Sequence, residues 1–167
     1  MHRAYTAAQY RATVDAIREA MPEASVTTDI IVGFPGETDH AFENTLRLVE
    51  DVRFDAVNTA AYSPREGTPA AGYPDQVPED VKRRRLDALN RMGERIASEI
   101  NRRLVGTRQE VLIEQAGTKG GVLGRTRTNK IVTVEGTPDL IGQCRPVEIA
   151  EAGSWVLRGR LTAPVPA

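Results

Sequence analysis

An α/β region followed by an all-β region is the fold class this sequence predicts, and three observations carry the prediction. Asp29 precedes an unbroken apolar run, Ile30-Ile31-Val32, that stops in Gly33-Phe34-Pro35-Gly36 and gives way to a helix start at Glu37-Thr38. Such a run, preceded by an acid, reads as a parallel strand buried on both faces. Helical and extended patterns then alternate through residue 62 with short loops, the βαβ order of a parallel sheet. Beyond Gly106 the texture changes to short alternating runs split by Gly-rich turns.

The elements follow in order. Thr6-Ala7-Ala8-Gln9 has the spacing of a capping box, and Tyr10, Val14, Ile17 and Met21 recur at helical spacing before Pro22 ends the helix. Val26 to Val32 is the strand just described. Phe42, Leu46 and Val49 mark the apolar stripe of a second helix from near Thr38 to near Asp51, and residues 54–62 read as a second strand. Two strands do not make a stable sheet alone, so this half reads as the tail of a larger one. Pro64, Gly67, Pro69, Gly72 and Pro74 make residues 63–77 a loop. After Pro78, residues Val81, Leu86, Leu89, Met92, Ile96, Ile100 and Leu104 predict a long amphipathic helix that Gly106 ends. Alternating runs at 108–114, 121–125, 130–135, 143–150 and 154–161 predict five strands of a small closed or half-closed barrel. Pro164 to Ala167 reads as a frayed tail.

The chain has 167 residues and a formal net charge of −1, but the charge is unevenly spread. Residues 1–77 carry 6 basic and 12 acidic residues, residues 78–106 carry 8 and 5, and residues 107–163 carry 8 and 6. A net-positive C-terminal half fits contact with a polyanion, and equally fits an ordinary solvated surface. No apolar stretch approaches membrane-spanning length, and the N-terminus lacks the apolar core of a signal peptide, so the expected location is cytoplasmic with no membrane partner. The single cysteine, Cys144, excludes an internal disulfide and any all-cysteine metal or iron–sulfur site.

Three segments are candidates for function, and each has a plain structural counterpart. The Gly33-Phe34-Pro35-Gly36 turn at the carboxyl end of a strand forms a ledge where a ligand can approach bare backbone. Its glycines would also serve a tight turn alone, and Asp29 would also serve as a strand acid paired to an arginine. Tyr62 to Ala71 follows the next strand and falls on the same sheet edge. There Arg65 is suited to a phosphate or carboxylate, or to solvent. In Gly124-Arg125-Thr126-Arg127-Thr128-Asn129-Lys130, cations alternate with small polar donors, as suits a polynucleotide backbone or a solvated barrel face. The Lys82-Arg83-Arg84-Arg85 run reads as the wet face of a helix.

Asp29 to Thr38, Tyr62 to Ala71, Asp75-Gln76-Val77-Pro78-Glu79 and Gly124 to Lys130, in this order and spacing, resemble the C-terminal part of MiaB-type radical-SAM tRNA methylthiotransferases. The resemblance covers residues 1–161. It implies that residues 1–77 are the C-terminal part of a (β/α) radical-SAM barrel, that 78–106 are a connecting helix, and that 107–163 are a small OB-like TRAM barrel that binds RNA. The implied activity adds a methylthio group to C2 of N6-isopentenyladenosine beside the anticodon. It uses S-adenosyl-L-methionine (SAM) and two 4Fe–4S clusters, in a full-length enzyme that is a monomer. Relatives that act on threonylcarbamoyladenosine tRNA or ribosomal protein S12 share the pattern, and a stand-alone RNA-binding module without catalysis is the alternative from another class. An unrelated α/β nucleotide-binding protein would leave the β-rich half unexplained.

The cysteine motifs that hold the family's clusters are absent from this chain, and Cys144 matches none of them. The resemblance places residues 1–6 inside the barrel, so what is present corresponds to a C-terminal fragment, expected to be inactive alone. It implies no catalytic and no metal-binding residue here. Ile31, Val32, Gly33, Phe34 and Pro35 would lie along SAM. Arg65 would face substrate or cofactor, and Arg125, Arg127, Asn129 and Lys130 would grip the tRNA anticodon stem-loop.

Overall fold

The computed structural model describes residues 4–117 and 120–162, so the predicted tail from Pro164 to Ala167 lies outside the described residues. The chain divides into two compact units, Met1–Ile96 and Ala97–Ala167. In the first, helix α1 (Ala7–Ala20) starts with the predicted capping box: Thr6 Oγ1 accepts from the Gln9 N–H, and Gln9 Oε1 accepts from the Thr6 N–H at 2.8 Å. Strand β1 (Thr27–Val32) leads to α2 (Asp39–Val52), capped by Thr38, whose Phe42, Val49 and Val52 are buried. Strand β2 (Ala56–Ala61) pairs with β1 in parallel, from Thr27 opposite Ala56 to Val32 opposite Ala61. The loop that follows contains one short 3-10 turn, Pro69–Gly72.

Two expectations are corrected in this unit. Strand β1 is not buried on both faces: Val32 is fully buried, but Ile31 is 41% exposed, and burial alternates along the strand. Only β2 pairs with it among the described residues, and with one face covered the pleat leaves alternate residues open. Among the described residues Asp29 meets no arginine; it accepts from the Asn58 side-chain amide at 2.9 Å, directly across the β1–β2 pair.

Helix α3 runs Glu79–Arg102, shorter than the predicted 78–106 because residues 103–106 form turns. The basic run at its start is not simply a wet face. Arg83 and Arg84 are exposed, while Lys82 and Arg85 are 3% and 6% exposed. They lie in phase with the fully buried Leu89 and Ile96, so the helix has one buried stripe whose first two members are charged.

The second unit is a closed barrel in the strand order β3-β4-β5-β7-β6. Its strands are β3 (Arg108–Ala116), β4 (Val122–Thr126), β5 (Ile131–Val134), β6 (Cys144–Ala152) and β7 (Val156–Leu161). All pairs are antiparallel except β5 with β7, and the pairing of β3 with β6 closes the ring. Val111, Ile113, Val122, Val132, Val134, Val147, Ile149 and Leu157 fill the interior, each from alternate positions of its strand. Register shifts at Ile113/Gln115 and Ile149/Glu151 bend the long strands β3 and β6 around so small a core. Closure also depends on Gly124: a Cβ there would stand 2.2 Å from the Leu112 carbonyl oxygen on the neighbouring strand.

Candidate nucleic-acid interface and cofactor ledge

The β4–β5 turn holds itself in shape. The Asn129 N–H donates to the Thr126 carbonyl at 2.9 Å, and the Thr126 N–H donates to the Lys130 carbonyl at 3.0 Å. The hydroxyl of Thr126, a buried residue, accepts from the Lys130 N–H. Asn129 sits at φ 62°, the left-handed region that asparagine tolerates better than most residues. This backbone sets Arg125, Arg127 and Asn129 around a shallow concavity of about 320 Å³, whose opposite wall is Glu110, Leu112 and Glu114 of β3 with Cys144 of β6.

The arginines are not free. Arg125 Nε donates to Glu114 Oε2 at 3.2 Å and its Nη1 to Asn129 Oδ1 at 3.0 Å, while Arg127 reaches Glu110 at 3.1 Å. Both ion pairs are substantially exposed, so each contributes little and is readily exchanged for another anion. Across the outer barrel surface, Cys144, Leu112, Arg125, Ile131 and Val156 stand in successive register from strand to strand. Leu112 and Val156 are 41% and 38% exposed. An exchangeable cation within an apolar row suits a ligand with both phosphates and flat base surfaces.

In the first unit, the ledge after β1 is tied down from below. Gly33 has φ +72°, and a Cβ built on it would lie 2.4 Å from Lys82 Cγ. Its N–H donates to Glu37 Oε2 at 2.7 Å, and the same carboxylate oxygen accepts from Arg85 Nη1 at 2.8 Å. Arg85 also donates to the Glu37 carbonyl at 3.0 Å and to Asp39 Oδ1 at 2.7 Å, so one guanidinium joins the ledge to the first turn of α2. Lys82 Nζ bonds Glu79 at 2.6 Å and stands 5.6 Å from the Tyr62 ring centre. Phe34 meets Tyr62 edge-on at 5.2 Å between ring centres.

Among the five residues expected along SAM, Val32 and Gly33 are buried, Phe34 and Pro35 are half-buried, and Ile31 is exposed. Side-chain contact with an adenine is therefore open to Ile31, Phe34 and Pro35, which are apolar or aromatic and fit a flat base. Arg65 is exposed, and among the described residues its guanidinium has no hydrogen-bond or ion-pair partner. No three His, Cys, Asp or Glu side chains among the described residues are grouped to hold a metal ion. A 4Fe–4S cluster does not fit this chain, because it takes three or four thiolates and the sequence has one cysteine.

Residues 102–162 match the TRAM domain family. Over 163 residues, running through both units, the chain is 45% identical to proteins named tRNA-2-methylthio-N(6)-dimethylallyladenosine synthase from Yersinia enterocolitica, Yersinia pestis and Yersinia pseudotuberculosis. The chain is homologous to these synthases. The match covers 96% of this chain and 34% of each relative, so the chain spans about a third of the length of the synthases it resembles. No helix among the described residues is long and apolar enough to cross a membrane.

Reading the sequence for charge and turn motifs finds the Arg125 to Lys130 turn but misses Lys82 and Arg85 as parts of the ledge. The available signal was phase: counting back from Ile96 and Leu89 at helical spacing reaches 85 and 82. It also misses Asn101, 4% exposed, whose side-chain amide donates to the Gly153 and Ser154 carbonyls in the β6–β7 turn. Nothing local in the sequence marks that contact, which spans more than fifty positions.

Proposed function

We propose that this chain supplies the tRNA-gripping barrel and part of the cofactor wall of a tRNA methylthiotransferase, acting at C2 of N6-isopentenyladenosine beside the anticodon in the cytoplasm. The observation that carries the reading is the 45% identity over 163 residues, which spans the ledge and the barrel alike. The barrel geometry supports it: a self-held turn presents two guanidiniums, each on an exposed, exchangeable carboxylate, to the phosphates of the anticodon stem-loop. Asn129 adds an amide beside them and Lys130 a fourth polar group.

On the ledge, Ile31, Phe34 and Pro35 supply apolar surface for the adenine of SAM, while the buried Val32 and Gly33 hold the turn beneath them. In the full-length enzyme SAM would supply the radical that removes the C2 hydrogen, and a further SAM the methyl group. Arg65 is exposed in a loop held by Pro64 and by the Thr68 bonds to its carbonyl, which supports a role in meeting the anionic part of substrate or cofactor. The iron–sulfur chemistry of the activity is assigned to no residue of this chain.

The test is selective capture. The protein is mixed with total tRNA and fragmented ribosomal RNA, complexes are recovered, and the bound RNA is sequenced. Enrichment of tRNAs whose anticodon is flanked by isopentenylated adenosine is expected. Recovery in proportion to input, or preferential binding of ribosomal protein S12 in a parallel assay, would overturn the reading.

A further inference from the structure

The chain's only tryptophan has no part in the interface described above. Trp155 stands 53% exposed in the β6–β7 turn, and it belongs to none of the aromatic ring pairs among the described residues. A tryptophan left in water forgoes the burial of a large apolar surface. A loose turn does not account for this. Buried Asn101 donates to the carbonyls of Gly153 at 2.9 Å and Ser154 at 3.1 Å, and the Gly153 N–H donates to Val156 at 3.0 Å. The residues flanking Trp155 are thus fixed and the ring is held outward.

Next to its turn lies a groove of about 1010 Å³ on the barrel surface. Gly153 and Val156 line it from the Trp155 turn, and Leu123, Thr133, Gly121 and Gly136 are among its other lining residues. It shares no residue with the concavity around Arg125 and Arg127. Among the described residues its ionic lining is balanced, Arg158 and Arg160 against Glu135 and Glu151, with Arg158 bonded to Glu151 at 3.4 Å and Arg160 in no ion pair. A balanced groove does not hold a duplex by its phosphates. A wide, glycine-walled groove with a fixed, outward indole suits unpaired bases, which stack.

We propose that Trp155 is a stacking platform for an unpaired base of a single-stranded RNA segment lying in this groove, a second RNA contact separate from the Arg125 to Lys130 turn. The proposal rests on the reading that the barrel binds RNA. Because the chain has one tryptophan, its intrinsic fluorescence reports on this ring alone. The full chain is titrated with a fluorescein-labelled single-stranded RNA of anticodon-loop sequence, and label anisotropy and tryptophan fluorescence are followed together. Quenching with the same midpoint as the anisotropy change is expected, and none with a blunt RNA duplex. Trp155→Ala should weaken binding about 5- to 150-fold, as removal of one base–aromatic stack does, whereas Trp155→Phe should retain most of the affinity with an unchanged far-UV CD spectrum. Anisotropy binding without quenching, and with equal affinity for Trp155→Ala, would overturn the platform and leave RNA binding standing. No anisotropy change with any RNA would overturn both.

Discussion

Arg125 and Arg127 are each paired with a carboxylate, Glu114 and Glu110, so on the proposed reading a phosphate has to compete with the two glutamates. Exposed pairs of this kind are worth about 0.2–1 kcal/mol each. Removing both carboxylate charges should therefore tighten RNA binding. For Glu110→Gln with Glu114→Gln we expect affinity for the anticodon stem-loop to rise roughly two- to thirty-fold, measured by fluorescence anisotropy at fixed salt. Equal or weaker binding would show that the arginines do not trade carboxylate for phosphate. The cations themselves were legible from the alternation in residues 124–130. Their partners were not, because Glu110 and Glu114 lie on β3 and meet the arginines only through antiparallel register.

At the scale of elements, α3 holds the ledge after β1 through two charged side chains at hydrophobic-stripe positions. Lys82 occupies the space that a side chain at Gly33 would need, and Arg85 ties Glu37 to Asp39. Gly33 is therefore constrained twice, by its positive φ and by the lysine stem. Gly33→Ala should destabilise the first unit by about 2–4 kcal/mol, from left-handed strain plus overpacking. In a Lys82→Ala background the same change should cost about 1–2 kcal/mol, since only the strain remains. Urea unfolding followed by the helical CD signal measures the cycle; additive costs would show that Lys82 does not define the space at Gly33. The sequence showed a glycine turn at a strand end and a basic run on a helix. That the two touch is a tertiary fact, hidden because residue type pointed Lys82 and Arg85 to solvent while helical phase pointed them inward. For Arg84 residue type and phase agreed: it is exposed, and its hydrogen bond holds the Asp80 carboxyl below its ordinary range.

Over the whole molecule, the two units differ in how completely they satisfy their backbones. Strands β1 and β2 pair only with each other among the described residues, whereas the barrel pairs every strand on both sides. Unpaired strand edges exchange with solvent through small local openings, while a closed ring opens only by breaking its core. Amide hydrogen exchange should show the amides of Val111, Val132, Val147 and Leu157 protected at least about tenfold longer than those along β1. Equal protection would mean that the open sheet finds a partner in solution. The barrel was legible because its runs alternate strictly, as in β4, where buried and partly buried positions follow one another. Its closure was left open between full and half, because that is decided by the pairing of β3 with β6, strands separated by two others in the chain. The parallel β1–β2 pair was legible as well, but the exposure of Ile31 was not, since an apolar run looks the same whether one face or both are covered.

The central claim, that the barrel grips tRNA through the Arg125 to Lys130 turn, is tested most directly by the salt dependence of stem-loop binding. Anisotropy with a labelled anticodon stem-loop, measured across a series of salt concentrations, gives affinity and slope together. Each phosphate contact contributes about 0.7–0.9 to the slope of log K against log salt. Arg125→Ala with Arg127→Ala should weaken binding and lower the slope by about one to two units. The far-UV CD spectrum should stay intact, because both side chains are substantially exposed. Unchanged affinity and slope in the folded double variant would contradict the claim and leave the turn as ordinary solvated surface.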